Sequence, residues 1–263
     1  MAEVSVIVTT FNRKEFLSET INSILNQTFA DFELIVVDNF SNYDFVEHVK
    51  SFNDSRIRAY QNQNHGIIAV NRNYGIRKAK GEYIAFCDDD DIWVKNKLEI
   101  QINKIKKTGC DLVGSNVIYF RDNIFENGRR SSNHKIINLK DLIKRNQVNT
   151  SSVIVRKTNK LIFNEDRNLI AIEDYALWLD LFIGGMTFEF IKQPLVFYRM
   201  GKGNISKKRW GENHLKLIYL HVSIMISYPD LRISYQVLSS VFLNSMKYLV
   251  KNKLRKHNLF GKY

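Results

Sequence analysis

The chain has 263 residues, 44% of them hydrophobic and 12% aromatic, which is enough to bury a sizeable core and excludes general disorder. Its net charge of +12 points to anionic partners: nucleic acid, phosphorylated small molecules or an anionic membrane surface. The two cysteines, Cys87 and Cys110, exclude a disulfide framework and a cysteine-based metal site.

The opening segment MAEVSVIVTTFNR lacks the basic region and long apolar run of a signal peptide. No apolar stretch reaches the roughly 18 residues of a spanning helix. Val4 to Thr9 is a β-branched run and predicts a buried strand. Phe16, Leu17, Ile21, Ile24 and Leu25 recur at helical spacing within 14–27. Phe32 to Asp38 predicts a second strand that ends on a carboxylate. A helix through Phe45, Val49 and Phe52 follows, then a weaker strand, Ile57 to Tyr60. Residues 67–79 read as a helix, and Tyr83 to Cys87 as a fourth strand ending directly at Asp88.

Strands alternating with helices predict βαβ units and a mainly parallel, Rossmann-like α/β sheet flanked by helices. Ligands of such sheets bind beyond the carboxyl ends of the strands. Thr10 to Arg13, Asp38 to Ser41 and Asp88 to Asp91 all fall at that edge, so three segments converge on one crevice. The second half predicts a strand at Ser151 to Val155, a short helix over 173–183 and a strand at Leu195 to Tyr198. From Trp210 onward the pattern is helical. A boundary near 208 separates a catalytic domain (1–208, with halves of about 1–120 and 121–208) from a helical, basic extension (209–263).

Asp88-Asp89-Asp90-Asp91 is the sharpest feature. Adjacent carboxylates repel one another unless water, donors or a cation compensate. A hard divalent ion such as Mg²⁺ bridges one or two carboxylates to substrate phosphates. Strand alternation would point Asp88 and Asp90 to one side. The bland alternative is a solvated acidic turn.

Phe86 to Trp93 resembles the Asp-x-Asp signature of glycosyltransferase family 2, whose fold is called GT-A. Val4 to Arg13, Ile35 to Asn39, Asn64-His65-Gly66 with Asn71 to Gly75, and Glu173-Asp174 with Trp178 resemble further motifs of that family. They follow the family's order across roughly 3–206. The resemblance implies an inverting enzyme that uses Mn²⁺ or Mg²⁺. It implies that Thr10, Asn12 and Arg13 line the nucleotide pocket and that Asp38 contacts uracil or ribose. Asp88 is then a ribose or metal contact and Asp90 the best metal ligand. Asp89 and Asp91 are support, one of them a cap on the following helix. Arg72 pairs with the aspartates, with a phosphate or in a plain salt bridge. Asp174 is the general base, and Glu173 positions the acceptor or the base. Trp178 stacks on a sugar or packs in the core. Where many relatives carry a His, this chain has Gly201, and Lys202 beside it is a candidate for the diphosphate.

Relatives of this kind build bacterial O-antigen or capsule repeats on undecaprenyl diphosphate. The implied donor is a UDP-sugar (glucose favoured, galactose next) and the implied acceptor a polyprenyl-diphosphate-linked GlcNAc. Residues 231–263 hold seven Lys or Arg and no Asp or Glu, suiting peripheral contact with the cytoplasmic face of the bacterial inner membrane or a solvated basic end. A nucleic-acid-binding protein is the competing reading. Its basic residues would be dispersed and without a recognised motif, so no nucleic-acid partner is expected. A non-catalytic sugar-nucleotide module is the third.

Overall fold

The computed structural model describes residues 2–121, 124–130, 139–201 and 210–229, with positions 243 and 246. Three strands open the sheet: β1 (Val4–Thr10), β2 (Phe32–Asp38) and β3 (Ile57–Gln61). Helices α1 (Lys14–Leu25), α2 (Phe45–Lys50) and α3 (Ile68–Lys78) connect them onward to β4 (Tyr83–Asp88). Then come β5 (Ile92–Trp93), α4 (Lys97–Thr108), β6 (Leu112–Arg121), β7 (Ile124–Arg130) and α5 (Leu139–Lys144). β8 (Ile154–Arg156), α6 (Glu173–Ile183), β9 (Phe188–Arg199) and α7 (Trp210–Ser227) complete the described elements.

The sheet runs β3-β2-β1-β4-β8-β6-β9-β5, with β7 paired to β6. β3, β2, β1 and β4 are parallel. Every residue of β1 and β2 is buried, as expected of parallel strands covered on both faces. Alternation splits the core. Val4, Val6 and Val8 face Leu17, Ile21 and Ile24 of α1; Ile7 and Phe86 face Phe163 and Trp178 on the other side. The parallel register brings Thr10 level with Asp38, and Thr9 level with Asp88. The three polar segments therefore share one sheet edge.

The second half departs from expectation. β8 is antiparallel to both β4 and β6, so the sheet is mixed beyond β4. Ser151 and Ser152 are not strand: Thr150–Ser152 is a 3₁₀ turn capped by the Asn149 side chain, which accepts from Ser151 N at 3.2 Å. Short hydroxyl and amide side chains compete with ladder hydrogen bonds in this way. Sequence periodicity also gave no expectation for α4 or β6. α7 does not form a core of its own, since Leu220 and Ile224 join the cluster that holds Tyr175 and Trp178.

Gly81 makes the tightest approach. A Cβ there would stand 2.7 Å from Ser5 N and 2.8 Å from Val4 C, both backbone atoms that cannot yield, while Gly81 N donates to Ser5 Oγ at 2.8 Å. Gly81→Ala should cost about 1–3 kcal/mol in urea denaturation. An unchanged midpoint would mean that the α3–β4 turn yields freely.

Candidate active site

β4 stops at Asp88, and the chain turns at once, Asp91 N donating to Asp88 O at 3.1 Å. The turn, rather than strand alternation, places the aspartates: Asp88 and Asp90 both line the cleft, as does Asp89, while Asp91 turns away from it. Asp88 meets Arg72. Asp89 is buried and accepts from Thr10 Oγ1 at 2.7 Å and from Arg13 Nη1 at 3.0 Å. Asp90 accepts from Arg13 Nη1 at 2.9 Å. Asp91 turns into the core, fully buried, and accepts from Arg199 N at 3.0 Å. It does not cap α4, whose N-terminal flank is Asn96.

Packing carboxylates so closely shifts their proton affinities. Burial, then Asp88, push Asp90 up to about 6 against the pull of Arg13. Burial and Asp90 drive Asp91 well above the usual carboxylate range. Burial raises Asp89, with Arg13 opposing. Such strain is what a bound cation relieves.

Arg72 joins the two halves of the site. Its Nη2 donates to Asp88 Oδ1 at 2.9 Å and its Nη1 to Glu173 Oε1 at 2.7 Å. Burial opposes its charge, yet Asp88 and Glu173 hold its pKa above the ordinary arginine value. Its fork thus ties the turn after β4 to the start of α6. Both Glu173 and Asp174 lie in the first turn of α6, where the helix dipole favours carboxylates. Asp174 Oδ2 accepts from Thr150 Oγ1 at 2.9 Å, and its Oδ1 from Tyr175 N at 2.6 Å. Burial, then Glu173, push Asp174 up to about 6, with Arg72 pulling the other way.

These groups line one cleft of about 230 Å³ that includes Arg13, Arg72, Asp88, Asp90, Glu173 and Asp174. A second compartment of about 260 Å³, lined by Thr10, Phe11, Asn39 and Asn64, shares Arg13 and Asp89 with it. Exposed Phe11 and Phe40 flank the far end. Phe40, His65 and Ala171 line these compartments with φ of +58°, +51° and +75°. Non-glycine residues held in this region are strained, and such strain gathers at ligand sites.

The structure brings Thr10, Arg13, Arg72, Asp88, Asp90, Glu173 and Asp174 together. Asp38 differs from expectation. It is fully buried, and its oxygens accept from Ser41 N at 2.9 Å and Gln61 Nε2 at 3.1 Å. It organises the loop after β2 from beneath, leaving Asn39 and Phe40 to face the cleft. Asn12 likewise pins that loop, accepting from Asn42 N at 2.7 Å. Trp178 is wholly buried, edge-on to Phe163, so it packs in the core. Lys202 lies outside the described residues. Sequence reading missed Thr150, Ser151 (whose Oγ accepts from Asp88 N at 3.0 Å) and the role of Arg199, which donates from Nε to Asp90 O at 2.9 Å. Its place two positions before Gly201, where many relatives carry a His, was the available signal for the last.

A carboxylate-rich cleft at the carboxyl edge of a parallel α/β sheet, with a buried Arg linking two acidic motifs, suits a phosphorylated ligand held through a cation. The chain belongs to glycosyl transferase family 2, whose profile matches residues 5–167. Two relatives from Escherichia coli are WfgD, 32% identical over 80% of this chain and 81% of its own length, and WfaP, 31% identical over 81% and 83%. Each is a UDP-Glc:alpha-D-GlcNAc-diphosphoundecaprenol beta-1,3-glucosyltransferase. The fold is that of S. aureus TarS, solved in complex with UDP-GlcNAc: TM-score 0.74, 21% identity, 92% of this chain and 72% of that one. A mannosyltransferase from Pyrobaculum calidifontis, solved with GDP-Man and Mn²⁺, matches with TM-score 0.63 at 13% identity, covering 99% of this chain and 81% of that one. The protein is thus a glycosyltransferase with the GT-A fold.

Proposed function

We propose that the protein transfers a hexose, glucose before galactose, from a UDP-sugar to a polyprenyl-diphosphate-linked GlcNAc, with inversion to a β-glycoside, in the assembly of an O-antigen or capsule repeat. The observation that carries this reading is the Arg72 fork, which sets the aspartate turn and the Glu173-Asp174 pair on one cleft. The glucosyl donor and the acceptor follow the activities of WfgD and WfaP. The catalytic unit is residues 1–208, and the site of action is the cytoplasmic face of the bacterial inner membrane.

Phe11 and Phe40 offer faces to the uracil, with Thr10, Asn12 and buried Asp38 holding the loops around it. Arg13, at the junction of the two compartments, is placed to meet the diphosphate; Lys202 is a second candidate for that contact. Among the described residues no three acidic or imidazole side chains form a ready metal cage. Two carboxylates completed by substrate phosphates is the usual arrangement for Mg²⁺. Asp88 and Asp90 fit it: each lines the cleft, and Asp90 carries the raised proton affinity that a cation offsets. A bound Mn²⁺ or Mg²⁺ supplies Lewis-acid stabilisation of the departing diphosphate.

Asp174 accepts the proton of the acceptor hydroxyl as its oxygen bonds to the anomeric carbon. The bond from that carbon to the β-phosphate oxygen breaks, and UDP leaves. One displacement inverts the centre. Thr150 Oγ1 and Tyr175 N hold Asp174 in place, and Glu173, fixed on Arg72, anchors the start of the helix that carries it. We propose no nucleic-acid partner, because the carboxylates of the cleft repel an uncompensated phosphate backbone. Incubation with a panel of UDP-sugars and GlcNAc-diphosphate-lipid should release UDP with Mn²⁺ or Mg²⁺ present, and EDTA should abolish release. No release with any pair would remove the reading.

A further inference from the structure

α7 is apolar on two opposite faces. Leu220 and Ile224 are buried in the core, and His221 Nε2 lies 2.9 Å from the Ile143 carbonyl. On the other side Leu215, Tyr219, Val222 and Ile226 are exposed, Ile226 by 76%. Their spacing of four, three and four residues stacks them in one stripe along the helix. Between Leu215 and Pro229 the only Lys, Arg, Asp or Glu is Lys216, so the helix adds no charge to the stripe; at its edge Tyr219 Oη donates to the Asp166 carboxylate at 2.5 Å. Met225 widens it, and farther along the chain Leu243 and Met246, three residues apart, are exposed as well. A helix that is apolar all round is ordinarily covered on every side, and a contiguous exposed apolar face marks an interaction surface.

We propose that this face of α7 docks on a bilayer surface carrying anionic lipid. The inference rests on the lipid-linked acceptor proposed above. Charge selects the occupant. The stripe is followed by a segment, 231–263, with seven Lys or Arg and no Asp or Glu, in a chain of net charge +12. An apolar stripe followed in sequence by a cationic segment has the composition of an interfacial segment on anionic headgroups. Two copies of so basic a chain repel one another instead. Position agrees. Lys216 Nζ donates to the Ile170 carbonyl at 2.6 Å, and Ile170 lines the cleft beside Glu173 and Asp174. The docking helix thus holds the acceptor-side rim, and a diphosphate at the headgroup level is brought to Asp174. No helix among the described residues is long and apolar enough to cross a membrane, so the contact is one of lying on the surface.

The test is sedimentation of the full chain with vesicles of phosphatidylcholine alone, or mixed with phosphatidylglycerol, for wild type and the double variant Val222→Glu/Ile226→Glu. Wild type should bind the mixed vesicles, and salt should weaken the binding. The double variant should lose roughly tenfold or more in apparent affinity. Its melting temperature, and its transfer to a short-chain, water-soluble GlcNAc-diphosphate acceptor, should be unchanged. Equal binding by both proteins would overturn the proposal. So would a wild type that ignores vesicles, or one whose stripe proves to be a dimer contact that the double variant breaks in light scattering. Transfer to the soluble acceptor without vesicle binding would remove this inference and leave the proposed function standing. Vesicle binding without transfer to any acceptor would do the reverse.

Discussion

Asp174→Asn should lower kcat by about 10²–10⁴-fold, the usual worth of a positioned general base, while UDP-sugar affinity stays near that of wild type. The substitution keeps the shape of the side chain and its place beside Thr150 Oγ1 and Tyr175 N, so the fold should survive. What it removes is the oxygen that takes the hydroxyl proton. A pH profile gives an independent readout. A base works deprotonated, and burial beside Glu173 raises Asp174 to about 6. The rate should therefore fall as pH drops through about 6 and be level above it. Asp90 titrates in the same window, so the profile is best taken at saturating Mn²⁺ and donor, where the cation holds Asp90 ionised. The acidic limb that remains belongs to Asp174. A variant with kcat within a few-fold of wild type would pass the role of base to another group.

Arg72→Met should be the most destabilising single change at the site. It strips the cation from two carboxylates at once. The two halves are not worth the same. The Asp88 side chain is 31% exposed, so water compensates much of its loss. The Glu173 side chain is only 8% exposed and the Arg72 side chain 6%. Breaking a buried pair by removing one partner costs about 3–5 kcal/mol, and the Glu173 contact should carry most of it. Arg72→Lys should recover only part, since one ammonium does not reproduce the fork that reaches both Oδ1 of Asp88 and Oε1 of Glu173. Urea denaturation of the three proteins checks the order. Equal midpoints would mean that Asp88 and Glu173 are held by other groups.

The half of the fold that could be read from sequence is the half in which local pattern and tertiary role coincide. β1, β2 and β4 are β-branched or apolar runs ending at Thr10, Asp38 and Asp88, and a parallel sheet puts all three ends at one edge. The turn through Asp88 to Asp91 was not legible as a turn, because alternation assumes a strand that in fact stops at Asp88. Nor was the burial of Asp38, which depends on donors from Ser41 and, across to the next strand, Gln61. The contact from Arg72 to Glu173 spans 101 positions, and no local periodicity encodes such a pairing. Ser151 and Ser152 look strand-like beside Val153 to Val155, but the Asn149 cap draws them into a 3₁₀ turn and β8 begins only at Ile154. The exposed stripe of α7 shares its composition with a core helix, so sequence marks it only as helical.

The proposed reaction is a single displacement across this cleft, with Asp174 on the acceptor side and the aspartate turn on the donor side. The most direct test is the anomeric configuration of the new bond, read by NMR on the product made from an α-linked UDP-glucose. A β linkage is the expected result. A purely α-linked product would contradict it, because one in-line attack assisted by Asp174 cannot retain the donor's configuration.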